Sequence, residues 1–327
     1  MTTRRKFVIA AGAGALALSL GGISRGAEKK MRRVGFVVPN PRIAGRRLAA
    51  LSAGLGAFGY VEKKNLIIET RWPAGRERRL RDIPQELIDA QVEVIVIHGG
   101  TSMFQTLQVL AAQKLSIPVV MATCASAPPG QAGVPRIVTG LLDAPDPVPK
   151  QLELLRTLVP NLTRLAVLSN PAFPGHPTIE HSVTTVLQNS GTIALLFRAQ
   201  TPLEIDAAFA EIVKAKVQAI LVAVDPAVEG AGQQIARLAL QHKLPTLFGT
   251  GEQVRAGGLA SYGENIERTY RRAADYIDKL LKSGKASALP VEQVTKLDLE
   301  INQRTANVLG MRISAAILAR ADKVWRG

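Results

Sequence analysis

Twice along its length the chain alternates short β-branched runs with stretches long enough for a helix, and few folds accept that rhythm. In the first half, residues 34–38 read as a buried strand, 43–58 as a helix, 66–70 as a strand and 76–90 as a helix. Residues 92–97 are the most apolar run, ending in His98-Gly99-Gly100; a helix (101–114), a strand (118–122), a turn-rich stretch (125–135) and a strand (137–141) follow. After Pro145, Pro147 and Pro149 the pattern restarts, with helices over 152–158, 178–188, 204–215 and 231–242. Strands at 164–168, 193–197, 219–224 and 246–248 alternate with them. Such spacing calls for parallel sheets covered on both faces. The expected class is α/β, as two doubly wound Rossmann-like lobes with short right-handed crossovers.

The tail is too small for a third domain. Residues 258–262 read as a strand, 265–283 as a long amphipathic helix and 291–301 as extended chain, with a short helical end. Added back to the existing sheets, they give a first lobe of 31–143 plus 257–287 and a second of 146–250 plus 288–322. The chain then crosses between lobes near 142–147, 249–257 and 286–291. Several crossings make a multi-strand hinge, which lets lobes close on a ligand without drifting apart.

The N-terminus reads as an export signal over residues 1–26. Arg4-Arg5-Lys6-Phe7 precedes an uncharged run, 8–20, that is shorter than the ~20 residues a spanning helix needs. Ser24-Arg25-Gly26 offers a small-residue exit, with cleavage expected near Gly26. Adjacent arginines are also the address of the bacterial route that carries folded proteins. The expected location is the periplasm, with the signal removed.

The formal charge is +15, and four of the positive residues (Arg4, Arg5, Lys6, Arg25) fall in that signal. What remains is basic but scattered, and nothing resembles a nucleic-acid motif; no nucleic-acid partner is expected. One cysteine, Cys124, excludes an internal disulfide and a cysteine metal cluster. His98, His176, His181 and His242 are spread thinly, and His176 and His181 read as loop and helix-surface residues; no metal site or cofactor is expected. There is no G-x-S-x-G elbow, no phosphate-binding loop and no H-E-x-x-H. Gly54-x-Gly56-x-x-Gly59 matches dinucleotide spacing but lies at the end of a helix, where it reads as packing and a stop.

In open parallel sheets ligands bind beyond the carboxyl ends of the strands. Those ends supply Asn40, Gly99, Gly100, Thr101, Ser102, Thr123, Asn170, Asp225, Gly249, Ser261 and Tyr262 as candidate ligand-binding residues. Gly99 and Gly100 allow close backbone approach. Thr101 and Ser102 open a helix whose free N–H groups favour a carboxylate. Asp225 offers a partner for an ammonium group and Tyr262 a flat wall.

The sequence resembles the periplasmic substrate-binding proteins of ABC transporters, the tryptophan/tyrosine type, of type I periplasmic binding fold. The resemblance runs through residues 59–66 to Arg71-Trp72, then Asn161-Leu162-Thr163-Arg164 to Ser169-Asn170-Pro171. It is densest in Gly257-Gly258-Leu259-Ala260-Ser261-Tyr262-Gly263 and Leu289-Pro290-Val291-Glu292-Gln293, and returns at Asn302-x-x-Thr305-Ala306. What it implies is a monomeric, non-enzymatic binder of a small solute, an amino acid or related carboxylate. The binder closes by hinge motion and delivers its cargo to an inner-membrane ABC permease and ATPase. A ligand sensor, or less readily an enzyme of the same fold class, is the alternative. In related clamps Ser/Thr and backbone N–H groups hold the carboxylate and an acid holds the ammonium; here those roles would fall to Thr101, Ser102 and Thr123, with Asp225 opposite.

Overall fold

Each β-branched run named above forms a strand, and the strands assemble into two sheets. The computed structural model describes residues 30–73, 78–124, 136–173, 175–188 and 190–326; the signal expected over 1–26 and the turn-rich 125–135 lie outside them. The first sheet collects β1 (Arg32–Val37), β2 (Leu66–Arg71), β3 (Val94–His98), β4 (Val119–Thr123) and β5 (Val138–Leu142), with β11 (Val291–Gln293) on its edge. Its order is β11-β5-β4-β3-β1-β2, and every pair is parallel. The second sheet holds β6 (Arg164–Ser169), β7 (Ile193–Arg198), β8 (Ala219–Val222), β9 (Thr246–Phe248), β10 (Ala260–Glu264), β12 (Leu297–Asn302) and β13 (Lys323–Trp325). Its order is β13-β12-β10-β9-β8-β6-β7, and β10 with β12 is its antiparallel pair.

Helices cover both faces of both sheets, as buried parallel strands require. On the first, α1 (Pro41–Ala57) and α10 (Ile266–Ser283) share one core with β1–β4, while α2 (Arg79–Asp89) and α3 (Gly100–Ala112) share the other. On the second, α4 (Val148–Leu158), α5 (His176–Leu187), α11 (Gln303–Val308) and α12 (Ala315–Arg320) pack on one face. Its other face carries α6 (Pro202–Lys214), the short α7 (Pro226–Gly230) and α8 (Gly232–Gln241); α9 (Gly251–Arg255) sits against β10 and β12.

Local chemistry explains the long helices. Asn40 caps α1 by accepting from the Arg42 N–H at 2.9 Å, and Pro41 supplies the preset φ of a first helical residue. Asn265 caps α10 in the same way, and Gly284 ends it at φ +67°. Between them Tyr270, Ala273, Ala274, Ile277 and Leu281 form the apolar stripe buried on the first lobe. A Cβ on Gly54 would lie 2.7 Å from Ala274 Cβ, so this glycine lets α1 and α10 touch, and Gly59 (φ +83°) turns the chain after α1. The glycine spacing is packing and a stop.

The tail divides differently from the expectation. The segment 257–287 splits at Glu264: β10 pairs with β9 and β12 in the second sheet, and α10 with Ala286 after it joins the first lobe. The segment 288–322 splits too, because β11 pairs with β5 before β12 returns to the second sheet. The expected extended run 291–301 is therefore two strands in two sheets. The crossings fall at 143–147, 264–266 and 294–296, the last two displaced by about one strand from the sequence reading. The cause is contact geometry: Gly263 packs on the Gly249 backbone, where any Cβ would stand 1.8 Å from the Gly249 carbonyl oxygen. Among the described residues no helix is long and apolar enough to cross a membrane.

Candidate functional site

Between the lobes lies a cavity of about 740 Å³, bounded by the carboxyl ends of strands from both sheets. Strand β1 delivers Pro39, β3 delivers His98 and Gly99, β4 Thr123 and β5 Asp143. From the second sheet come Phe173 after β6, Val224 and Pro226 after β8, Gly249 and Thr250 after β9, and Gly263 and Glu264 in β10. Met103, Phe104, Ile179 and Leu297 add apolar wall.

Six of the residues expected from the sequence line this space: Gly99, Gly100, Thr101, Ser102, Thr123 and Gly249. Gly99 stands at the N-terminus of α3 with φ +89°, and no side chain caps that helix. The leading N–H groups of an α-helix lack internal partners, so the first turn of α3 offers donors to a ligand carboxylate, helped by the positive helix end. A Cβ on Gly100 would meet nothing within 4 Å. Gly249 also serves packing, since a Cβ there would run into Val224 at 2.1 Å.

The other five are placed elsewhere. Asn40 is committed to capping α1, and its Nδ2 donates across the lobes to the Pro226 carbonyl at 3.4 Å. Asp225 is buried, with Oδ1 accepting from the Ala227 and Val228 N–H groups at 2.8 and 3.0 Å. Asn170 Nδ2 donates to both of its oxygens at 3.2 Å. The ammonium-binding role expected for Asp225 is thus filled by the N-terminus of α7 and an amide, and neither Asp225 nor Asn170 lines the cavity. Ser261 is buried in β10. Tyr262 borders a separate pocket of about 140 Å³ with Lys150 and Arg320. His176, read as a loop or surface residue, is instead buried and pairs with Glu180 at 2.9 Å.

Sequence reasoning missed the charges. Arg47 is fully buried on α1, and its Nη2 meets Glu229 Oε2 of α7 at 2.7 Å, with Glu252 of α9 at 3.7 Å. Burial works against the guanidinium charge, but Glu229 and Glu252 outweigh it and raise the Arg47 pKa. Arg46 reaches Glu252 as well, at 3.6 Å. These contacts join the lobes at the cavity wall. Among the described residues four acids, Asp143, Asp146, Glu229 and Glu264, line the space against the one guanidinium, Arg47. His98 gives no compensation: burial, then Arg47, holds its pKa well below the ordinary value, so it is neutral. Its Nδ1 lies 2.9 Å from the Tyr270 hydroxyl and 2.6 Å from Thr123 Oγ1, a buried strut under the cavity floor. Tyr270→Phe removes one partner and leaves Thr123 in place. The expected loss is about 1 kcal/mol, read from the urea midpoint with an unchanged slope.

Residues 46–325 match the family model described as ABC transporter substrate binding protein. The tyrosine-binding protein of Clostridioides difficile (strain R20291) is 22% identical over 165 residues, spanning 50% of this chain and 48% of that protein; the match covers about half the length of that curated relative. A conserved domain protein from Vibrio cholerae superposes with a TM-score of 0.75 at 26% identity, covering 90% of this chain and 100% of that one. The ABC domain from Streptococcus pneumonia in complex with L-Trp gives 0.75 at 21% identity, covering 90% and 99%.

Proposed function

Because the chain belongs to the ABC transporter substrate binding protein family, we propose that it carries a small solute, an amino acid or related carboxylate, in the interlobe cavity. The observation that carries this reading is the cavity itself: about 740 Å³, bounded by strand ends of both lobes, with the uncapped first turn of α3 at its edge. In this reading Gly99, Gly100, Thr101 and Ser102 hold the carboxylate, and Phe104, Phe173 and Ile179 take the apolar body. Closure brings α1 onto α7, and the solute is then released to an ABC permease and ATPase of the inner membrane. The protein works in the periplasm and performs no chemistry on its cargo: among the described residues His98 is the one imidazole on the wall, and it is spent on Thr123 and Tyr270. The tyrosine-binding relative and the L-Trp complex support an amino acid as cargo.

Thermal unfolding against a panel of amino acids, amines, carboxylates and sugars tests this. A ligand that binds only the folded form stabilises it by RT ln(1 + [L]/Kd), about 4 kcal/mol at a thousandfold excess over Kd. The expected result is a concentration-dependent rise in Tm with at least one amino acid. A flat response across the panel, or turnover of any member, contradicts the reading.

A further inference from the structure

The hinge carries two carboxylates that form no ion pair among the described residues. Asp143 begins the first crossing, directly after β5, and Glu264 begins the second, and both line the cavity. The other two wall acids are committed: Glu229 to Arg47, and Asp146 to the Val148 N–H and the Ser182 hydroxyl. Glu264 accepts from the Ala144 N–H at 2.5 Å. Arg268, whose positive charge acts on Glu264, is itself paired with Asp298 at 2.9 Å. Asp143 Oδ1 is enclosed and has no hydrogen-bond partner among the described residues. An enclosed, unpartnered carboxylate oxygen is costly, and a second carboxylate nearby makes it costlier. Native chains keep such arrangements where a ligand completes them.

We propose that Asp143 and Glu264 form the seat for a ligand's positively charged nitrogen, so that the cavity selects organic ammonium compounds over neutral or purely anionic ones. This deepens the binding reading above and rests on it. An ammonium placed there supplies the donors that Asp143 Oδ1 lacks and neutralises the repulsion between the two hinge strands. It also accounts for two acids at the crossings, where the lobes move relative to one another: the cation that binds them draws the crossings together. The walls beyond, Phe104, Phe173 and Ile179, suit an apolar body on that nitrogen. Burial, then Glu264 and Glu229, pushes Asp143 up to about 7 in the unliganded protein. The ionisable groups coupled to it are Glu264 of β10, Glu229 of α7, Cys124 after β4 and Tyr270 of α10. An ammonium ligand needs the ionised carboxylate, so its affinity rises as the pH passes from 6 to 8.

The test uses the whole chain and five probes: L-tryptophan, tryptamine, indole-3-propionate, myo-inositol and D-fucose. Calorimetric titration is expected to give at least tenfold tighter binding for L-tryptophan or tryptamine than for indole-3-propionate. Asp143→Asn and Glu264→Gln are each expected to erase that preference. They should also raise the Tm of the unliganded protein, because a like-charge repulsion is gone. A purely structural role predicts a lower Tm and no change in preference. Equal or tighter binding of indole-3-propionate or either sugar overturns this assignment alone, as does stabilisation by potassium or calcium chloride without preference among the indole probes. Silence from all five, where the wider panel finds a carboxylate or sugar ligand, also overturns it; silence everywhere overturns the binding reading with it.

Discussion

Arg47→Met is expected to weaken solute binding on the order of a hundredfold or more while leaving each lobe folded. The guanidinium is fully buried at the lobe junction, 2.7 Å from Glu229, and Nη1 also donates to the Ile43 carbonyl. Removing one partner of a buried pair strands the other, at a cost of about 3–5 kcal/mol. Here the partners sit on different lobes, so opening lets Glu229 regain water and the cost falls on the bridged form. Ligand affinity depends on how readily that form is populated. At about 1.4 kcal/mol per decade, the full penalty corresponds to about two to three and a half decades in Kd. The check is a calorimetric titration beside a urea denaturation. Adding Glu229→Gln to Arg47→Met should recover much of the lost affinity, since the neutral amide no longer needs a counter-charge. Unchanged affinity in the single variant would place the closure energy elsewhere.

The largest effect on folding is expected from Gly140→Ala. Gly140 sits in β5 at φ +114°, where an L side chain costs about 1–3 kcal/mol. A Cβ there would also stand 2.3 Å from the Met121 carbonyl oxygen and 2.7 Å from its nitrogen on β4. Those atoms are backbone and cannot rotate aside, so β4 and β5 must separate and their ladder weaken. The combined loss is expected to exceed about 4 kcal/mol, a range reserved for changes with a named structural cause. At roughly 2–4 °C per kcal/mol for a chain of this order, Tm falls by about 10 °C. Gly45→Ala is the control. It lies inside α1 with nothing within 4 Å of the added methyl, and should gain about 0.5–1 kcal/mol. Urea midpoints of the two variants moving in opposite directions would bear this out; similar small shifts would not.

Most of the fold is legible in the sequence because periodicity survives without tertiary information. The strand at 246–248 forms where its β-branched and aromatic residues place it, and most other element ends shift by one to four residues. What the sequence hides is which sheet a lone tail strand joins. Residues 260–264 and the helix after them read as one unit, yet the glycine contact at Gly263 and Gly249 keeps β10 in the second sheet. The apolar stripe of α10 belongs to the first lobe. The short α7, α9 and β13 carry too few residues to show a period.

The site divides along the same line. Glycines and hydroxyls at strand ends are visible because position along a strand predicts which end opens on the crevice. The charges are not. Arg47 looks like half of a surface pair with Arg46, and only the approach of α7 and α9 buries it. Asp225-Pro226 looks like a ligand acid, and is the cap of a five-residue helix. The one signal that could have found Asp143 and Glu264 is their position: each borders a chain crossing, where an acid has no reason of packing to be.

Whether solute occupies the interlobe cavity is measured by calorimetric titration of the wild type and of Gly100→Trp with the best ligand from the panel. Gly100 lines the cavity in the first turn of α3, and its Cβ position is open, so an indole there fills the space without disturbing the core. The expected result is one-site binding in the wild type and a loss of at least a hundredfold in the variant, with Tm of the unliganded protein unchanged. Equal affinity in the two proteins would place the solute outside this cavity.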